Sequence, residues 1–243
     1  MWNSQTEIIY RTDVGSIKKE HLENLMVLFS IPSKGILIVI DDDDYKDYPN
    51  PIWRNQGLHL NIRLGGIEEM SPEHLLDIME SGKYSNIIWF AKRICAGDLL
   101  SFVWVASHEF QHFLQDKTSH DLSVANTFLY SVLGDKKLQI DEPRVAMSIP
   151  AEFDAELSAF KTITNIFGAT EAEKYIRQPD RFDRIGCLLK YDNNVQYDLI
   201  GQTIYLLEKY RDQLESYIKS AFDPMIKSFD VAMHIRDLQK LKK

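Results

Sequence analysis

The strongest constraint on the fold comes from the segment Leu99–Asp116, whose periodicity predicts a helix capped by Gly97-Asp98. The helix contains two histidines, His108 and His112. The side opposite them carries only apolar residues, which are Leu99, Val103, Ala106, Phe110 and Leu114. Trp104 and Val105 flank the other side, so the helix is apolar almost all round. Such a helix is expected to be buried between other elements.

Three polar side chains interrupt this apolar helix. The run His108-Glu109-Phe110-Gln111-His112 matches H-E-x-x-H, and a chance match in one chain is expected on the order of once in a hundred cases. Residues four apart share a helix face, so both imidazoles can bind one zinc ion, and Glu109 points about 100° away around the axis. Alternatively, the histidines are core residues with ordinary hydrogen bonds. However, unpaired buried polar groups cost about 1–3 kcal/mol each, which a metal would offset.

A zinc site needs a third protein ligand, and the pattern that would place it on the same segment fails. In metzincins the third ligand is a histidine six residues after the second one, and a glycine precedes it by three. Here those positions hold Thr118 and Gln115, and His120 comes two residues too late. The third ligand is therefore expected on another element.

The segment 149–157 supplies the better candidates, because it contains three carboxylates. Pro150 fits the first turn of a second predicted helix that carries them. Glu152 and Glu156 are four residues apart and share a face beside an apolar stripe, whereas Asp154 falls on the side expected to face water. We assign Glu152 as the third ligand. Glu156 is expected to accept a hydrogen bond from a ligating histidine. The reverse assignment of the two glutamates stays open.

With these residues the chain resembles the zincin metallopeptidases, and specifically the compact bacterial and phage members of the gluzincin branch. Those enzymes combine H-E-x-x-H on one helix with a glutamate on a second helix, often followed four residues later by another acidic residue. His108, Glu109 and His112 match the first motif, and Glu152 with Glu156 matches the second. The resemblance covers roughly residues 58–168 and does not extend into the C-terminal third.

The pattern of elements predicts an α+β fold. Residues 36–40, 58–64 and 87–91 read as strands, whereas the chain from about residue 148 onward reads as mostly helical. The resemblance implies a zincin-like domain with a small mixed β-sheet, a buried active-site helix and a helical C-terminal part. We expect this domain at 1–168 and a helical extension at 169–243, packed on the same domain. The resemblance also implies that an edge strand, here 58–64, pairs with the substrate backbone.

The resemblance implies a zinc metallopeptidase that binds one zinc ion per chain and hydrolyses a peptide or protein substrate. Glu109 would act as the general base on a zinc-bound water. A further donor is needed for the oxyanion, and the sequence does not rank its five candidates: Tyr130, Tyr175, Tyr191, Tyr197 and His234. Two alternatives remain, namely a zinc-binding regulatory or binding module without protease activity, and a helical interaction protein that uses residues 195–220.

Composition narrows the range of partners. The 243 residues carry a formal charge of −8, which argues against a nucleic-acid backbone as the partner. No basic stretch followed by an apolar one opens the chain, and the apolar runs are too short to cross a bilayer. We therefore expect a cytoplasmic protein with no membrane partner. The acidic run Asp41–Asp44 is expected to be a solvated loop rather than a calcium site.

Overall fold

A computed structural model of the chain describes residues 7–32, 34–49, 55–62, 71–134, 149–191, 196–222 and 224–242. The strands are β1 (Glu7–Tyr10), β2 (Ile36–Ile40), β3 (Gly57–Asn61) and β4 (Asn86–Phe90). The helices are α1 (Ser16–Leu28), α2 (Glu73–Glu80), α3 (Lys92–Ala96), α4 (Leu99–Thr118), α5 (His120–Leu129), α6 (Pro150–Phe167), α7 (Ala169–Ile176), α8 (Pro179–Ile185), α9 (Leu199–Lys209), α10 (Arg211–Ser220), α11 (Pro224–Lys227) and α12 (Val231–Leu241). A π-helical turn (Tyr130–Gly134) follows α5, and a 3-10 turn (Gly186–Lys190) follows α8. The predicted α+β class with a small mixed sheet is confirmed.

The sheet has the order β1-β2-β4-β3. β1, β2 and β4 run parallel, and β3 pairs antiparallel with β4 from Gly57 opposite Phe90 to Asn61 opposite Asn86. The run ILIVI of β2 is buried along its whole length, as expected for an inner parallel strand. β3 lies at the edge of the sheet. It begins one residue before the predicted strand 58–64, and positions 63 and 64 of that prediction lie outside the described residues.

Contacts divide the chain into two compact units. The first comprises Met1–Leu114 with Ser158–Ala172, and it contains the sheet. One face of that sheet is covered by an apolar cluster that includes Leu37, Leu60, Leu75 and Trp89. The second comprises Gln115–Leu157 with Glu173–Lys243, and its described elements are helical. Its core is built from residues such as Leu122, Leu129, Leu207, Leu214 and Leu238.

Three helices contribute residues to both units: α7, which is divided after Ala172, and the two longer helices α4 and α6. Residues 99–114 of α4 belong to the first unit and residues 115–118 to the second, whereas α6 contributes 150–157 to the second and 158–167 to the first. The expected functional boundary after residue 168 stays a prediction, because a contact unit need not coincide with a functional domain. Within the described part of the chain, no helix is both long and apolar enough to cross a bilayer.

The structure corrects two expectations about the segments outside the motif. Asp41, which was expected in a solvated loop, is fully buried. The described part of the stretch 195–220 contains two helices, α9 and α10, with a break at Tyr210. Ile204 and Leu207 of α9 and Leu214 of α10 lie in the core of the second unit, so this side of the stretch is packed inside the unit and is not free for a partner.

Candidate metal centre

Helix α4 carries the H-E-x-x-H motif, and its first turn is held by Asp98. One carboxylate oxygen of Asp98 accepts the backbone N–H of Ser101 at 2.8 Å, and the other accepts the Ser101 hydroxyl at 2.7 Å. Of the apolar residues predicted to be covered, Val103, Ala106 and Phe110 are fully buried, and Leu99 and Leu114 near the two ends of the helix are half-buried. This burial fixes the rotation of α4 about its axis, and the rotation decides where the motif side chains point.

The two histidines of the motif face each other. Their Nε2 atoms lie 3.0 Å apart, and their rings are 4.7 Å apart between centroids at an interplanar angle of 78°. Both side chains are half-buried. Two ligands of a tetrahedral zinc ion, each bonded at about 2.05 Å, are about 3.3 Å apart. The separation of the imidazole nitrogens therefore fits a shared metal ion.

Helix α6 brings Glu152 to this pair. Three residues, His108, His112 and Glu152, each offer one ligand atom, and these atoms lie within 4.8 Å of one another. All three residues are half-buried. Two imidazole nitrogens and one carboxylate oxygen are a donor set typical of catalytic zinc, which keeps a fourth position for water or substrate. The residues present thus fit zinc in both number and chemistry.

Glu109 lies between the two histidines in sequence and is almost fully buried, with 6% of its surface exposed. It lies against the first residue of the edge strand β3. A Cβ atom at Gly57 would come within 2.9 Å of Glu109 Cγ, 3.1 Å of its Oε1 and 2.6 Å of Val105 Cγ1. Only a residue without a side chain allows β3 to approach the Glu109 carboxylate this closely.

Glu156 is also buried, but it is not part of the three-residue cluster. An oxygen of its carboxylate lies 3.5 Å from an Nη atom of Arg184, on α8. The Arg184 side chain is 63% exposed, so the pair joins a buried carboxylate to a solvated cation. The geometry therefore favours Glu152 over Glu156 as the third ligand. The hydrogen bond expected between Glu156 and a ligating histidine stays a prediction.

Hydrogen bonds between α4 and α6 occur inside each unit. In the first unit, the Ser158 hydroxyl donates to Gln111 Oε1 at 3.2 Å. In the second, the Gln115 amide donates to the Ala151 carbonyl at 3.0 Å and to the Asp154 carboxylate at 2.8 Å. Asp154 was expected to face water, but it is half-buried and bonded to α4, so this part of the helical-wheel prediction is wrong.

The sequence contains one signal that points to Gln115, although its role was missed. Gln115 is a large polar residue on a helix whose pattern predicts burial, and in the structure 6% of its surface is exposed. A buried amide of this kind requires hydrogen-bond partners. The partners themselves, Ala151 and Asp154, lie far away in the sequence, so no local pattern identifies them.

Two of the five candidate oxyanion donors lie against α6. Tyr197 and Tyr191 contact the ring of Phe153, with centroid distances of 4.9 Å and 5.6 Å. Burial and then the negative charge of Asp154 raise the pKa of the Tyr197 hydroxyl above its ordinary value. That hydroxyl therefore stays protonated and able to donate at neutral pH.

The surroundings of the other three candidates differ. Tyr175 is buried, and the guanidinium of Arg181 lies 3.8 Å from the centre of its ring. A ring nitrogen of His234 lies 2.8 Å from the carbonyl oxygen of Asp230, and Tyr130 is 43% exposed at the end of α5.

His59 of β3 contacts side chains of both β4 and α4. Its Nε2 atom lies 3.0 Å from Asn86 Oδ1, and its ring contacts that of Phe113 at 5.9 Å between centroids. Gly57 and His59 are thus on the face of β3 that meets α4.

Within the described ranges, no other group of three His, Cys, Asp or Glu side chains is arranged to hold a metal ion. Comparisons of the chain with protein-family models, with curated proteins and with solved structures found no match.

Proposed function

We propose that the chain is a zinc-dependent metallopeptidase of the gluzincin type, with a zincin-like fold. The observation that carries the proposal is the convergence of one ligand atom each from His108, His112 and Glu152 within 4.8 Å. The cluster joins the H-E-x-x-H helix to a glutamate on a second helix, which is the ligand arrangement of that class. His108, His112 and Glu152 would hold one zinc ion per chain.

The proposed reaction is hydrolysis of a peptide bond by water. When bound, zinc acidifies its water ligand and polarises the scissile carbonyl. The Glu109 carboxylate accepts a proton from the attacking water and donates it to the leaving amine nitrogen, so the products are a carboxylic acid and an amine. Tyr197 and Tyr191 are the leading candidates to donate a hydrogen bond to the oxyanion, because both pack on the helix that carries Glu152.

The position of β3 supports a peptide substrate. An edge strand offers backbone N–H and C=O groups on its unpaired side, and an extended peptide can bind there as an additional strand. The strand begins at Gly57, directly against the Glu109 carboxylate. A peptide aligned along β3 would therefore pass close to the general base.

The test compares wild type with Glu109→Gln and Glu152→Ala in zinc stoichiometry and in cleavage of a fluorogenic peptide library. Glu109→Gln is expected to keep one zinc ion per chain and to lose cleavage by at least about 100-fold, because only the proton acceptor is removed. Glu152→Ala is expected to lose zinc and cleavage together. A wild-type protein that binds zinc but cleaves nothing would instead favour a zinc-binding module without protease activity.

A further inference from the structure

We propose that Gln115 is a positioning residue that orients helix α6 so that Glu152 points at the two histidines. This inference rests on the proposed zinc site. Gln115 lies three residues after His112, so its side chain belongs to the next turn of the same helix. It is the position at which the metzincin pattern would require glycine, and here it holds a buried amide.

The hydrogen bonds of Gln115 reach residues on both sides of the proposed ligand in the sequence. Its Nε2 atom donates to the carbonyl oxygen of Ala151, directly before Glu152, and to the carboxylate of Asp154, two residues after it. Both acceptors are on the first turns of α6. The amide therefore fixes both the position of the segment that carries Glu152 along the axis of α6 and its rotation about that axis.

Both amide hydrogens of Gln115 can be used by these two oxygen acceptors. If the amide were flipped, its carbonyl oxygen would face two acceptors and could donate to neither. The orientation with Nε2 toward the two acceptors is therefore strongly preferred. The ionised Asp154 carboxylate also makes its hydrogen bond stronger than one between neutral groups. A glutamate at position 115 would have the same shape but no donor, and its charge would face that of Asp154.

Gln111 provides a matched comparison on the same helix. It also bonds to α6, but as an acceptor from the Ser158 hydroxyl at 3.2 Å, six residues after Glu152, and it is half-buried. Removing Gln111 therefore also costs one hydrogen bond between α4 and α6. The Gln111 contact, however, lies only on the C-terminal side of Glu152.

The experiment titrates wild type, Gln115→Met, Gln115→Glu and Gln111→Met with zinc and with cobalt(II), and records the visible cobalt spectrum at saturation. We expect Gln115→Met to weaken zinc binding by about 10- to 100-fold, the usual range for the loss of a partner that orients a ligand. Its cobalt absorption is expected to fall, because a ligand replaced by water favours higher coordination. Gln115→Glu should show a larger effect, and Gln111→Met should match wild type.

Asp154 supplies a rescue comparison and a second route if Gln115→Met does not fold. Asp154→Asn keeps an oxygen acceptor for the Gln115 amide and should retain the wild-type cobalt spectrum. Asp154→Leu removes the acceptor and should shift the spectrum in the direction of Gln115→Met. Thermal melts of the metal-free proteins separate a loss of stability from a change in the site.

The possible failures are distinguishable. If wild type binds neither zinc nor cobalt, the proposed metal site fails and this inference fails with it. If wild type binds both ions and the Gln115 and Asp154→Leu variants share its affinity and its spectrum, the metal site stands and the positioning role of Gln115 is overturned.

Discussion

At the scale of single residues, Asp41 shows how a buried charge is held in this chain. Its carboxylate accepts hydrogen bonds from Trp89 Nε1 at 2.8 Å and His74 Nε2 at 3.1 Å, and it pairs with Arg11 at 3.1 Å. The backbone N–H of Asp42 donates to it at 2.8 Å. Burial by itself would raise the pKa of Asp41, but the bonds from His74, Trp89 and Asp42 outweigh it and hold the pKa well below its usual value.

The substitution Asp41→Asn is expected to cost about 3 kcal/mol of unfolding free energy at neutral pH, because it leaves buried donors without their charged acceptor. Since the pKa of Asp41 is lower in the folded than in the unfolded chain, its stabilisation is complete above the unfolded value, about 3.9. It is lost as the pH falls through the folded value. Chemical denaturation at several pH values should therefore show the difference between variant and wild type shrinking below about pH 4.

The control for this measurement is Asp42→Asn. The Asp42 side chain is 48% exposed and pairs with Arg11 at 2.9 Å, so its loss should cost about 1 kcal/mol or less. An Asp41→Asn penalty that stayed constant from neutral pH to pH 2 would contradict the assignment of a low folded pKa.

At the scale of elements, the contact between β3 and α4 couples the edge strand to the proposed general base. The pairing of Gly57 with Phe90 fixes the position of the strand end, and the burial of Val105 and Phe110 fixes the rotation of α4. The Glu109 side chain lies where α4 meets the start of β3. The packing of these two elements therefore helps to set the direction of its carboxylate.

The substitution Gly57→Ala tests this coupling. The added methyl group would lie 2.6 Å from Val105 Cγ1 and 2.9 Å from Glu109 Cγ, so one of these side chains has to move. A shift of the general base by about 1 Å can reduce catalysis by about 100-fold. We expect peptide cleavage to fall by about 10- to 100-fold in kcat. Zinc stoichiometry should be unchanged.

Asn61→Ala at the other end of β3 is the control, and it should retain both activity and zinc. Equal activity of Gly57→Ala and wild type would mean that Glu109 can relax without loss, or that it is not the base.

At the scale of the whole chain, the proposed metal ion would connect two long helices that are far apart in sequence. Its ligands lie on α4 and α6, which the structure joins by hydrogen bonds at Gln111 and Gln115. A ligand that binds only the folded state stabilises it by mass action. Zinc would therefore contribute to stability as well as to chemistry.

Removal of zinc by a chelator is expected to lower the melting temperature of wild type. At free zinc a thousand times above its Kd, the stabilisation would be about 4 kcal/mol, and a chelator removes it. Differential scanning calorimetry with and without chelator measures the shift. A variant carrying both His108→Ala and His112→Ala should melt at the same temperature in either buffer. A chelator-insensitive wild type would count against a tightly bound structural or catalytic ion.

The elements of the site were predictable because their patterns are local. The apolar periodicity around the motif predicted α4, Pro150 marked the start of α6, and the run at 36–40 predicted β2 with the bounds that the structure shows. A helical wheel also placed Glu152 and Glu156 on one face and left their ranking open, and the structure brings Glu152 together with the two histidines. Such inferences need only residues within one helix or strand.

The residues that sequence reasoning misplaced depend on partners far along the chain. Asp41 looked like part of a solvated acidic loop, and its burial is explained by donors at positions 11, 74 and 89. Asp154 looked solvent-facing on an isolated helix, but Gln115 of α4 bonds to it. In both cases tertiary structure supplies the hydrogen bonds of a polar side chain, which is buried for Asp41 and half-buried for Asp154. Local periodicity does not encode such bonds.

Helices α4 and α6 each supply residues to both compact units, so the units are interleaved along the polypeptide. Separating them genetically would take three cuts and a rejoining of distant ends, and two of the cuts would fall inside the helices that carry the proposed ligands. No single truncation isolates either unit. Swapping one unit for a foreign module by gene fusion would therefore interrupt both ligand-bearing helices.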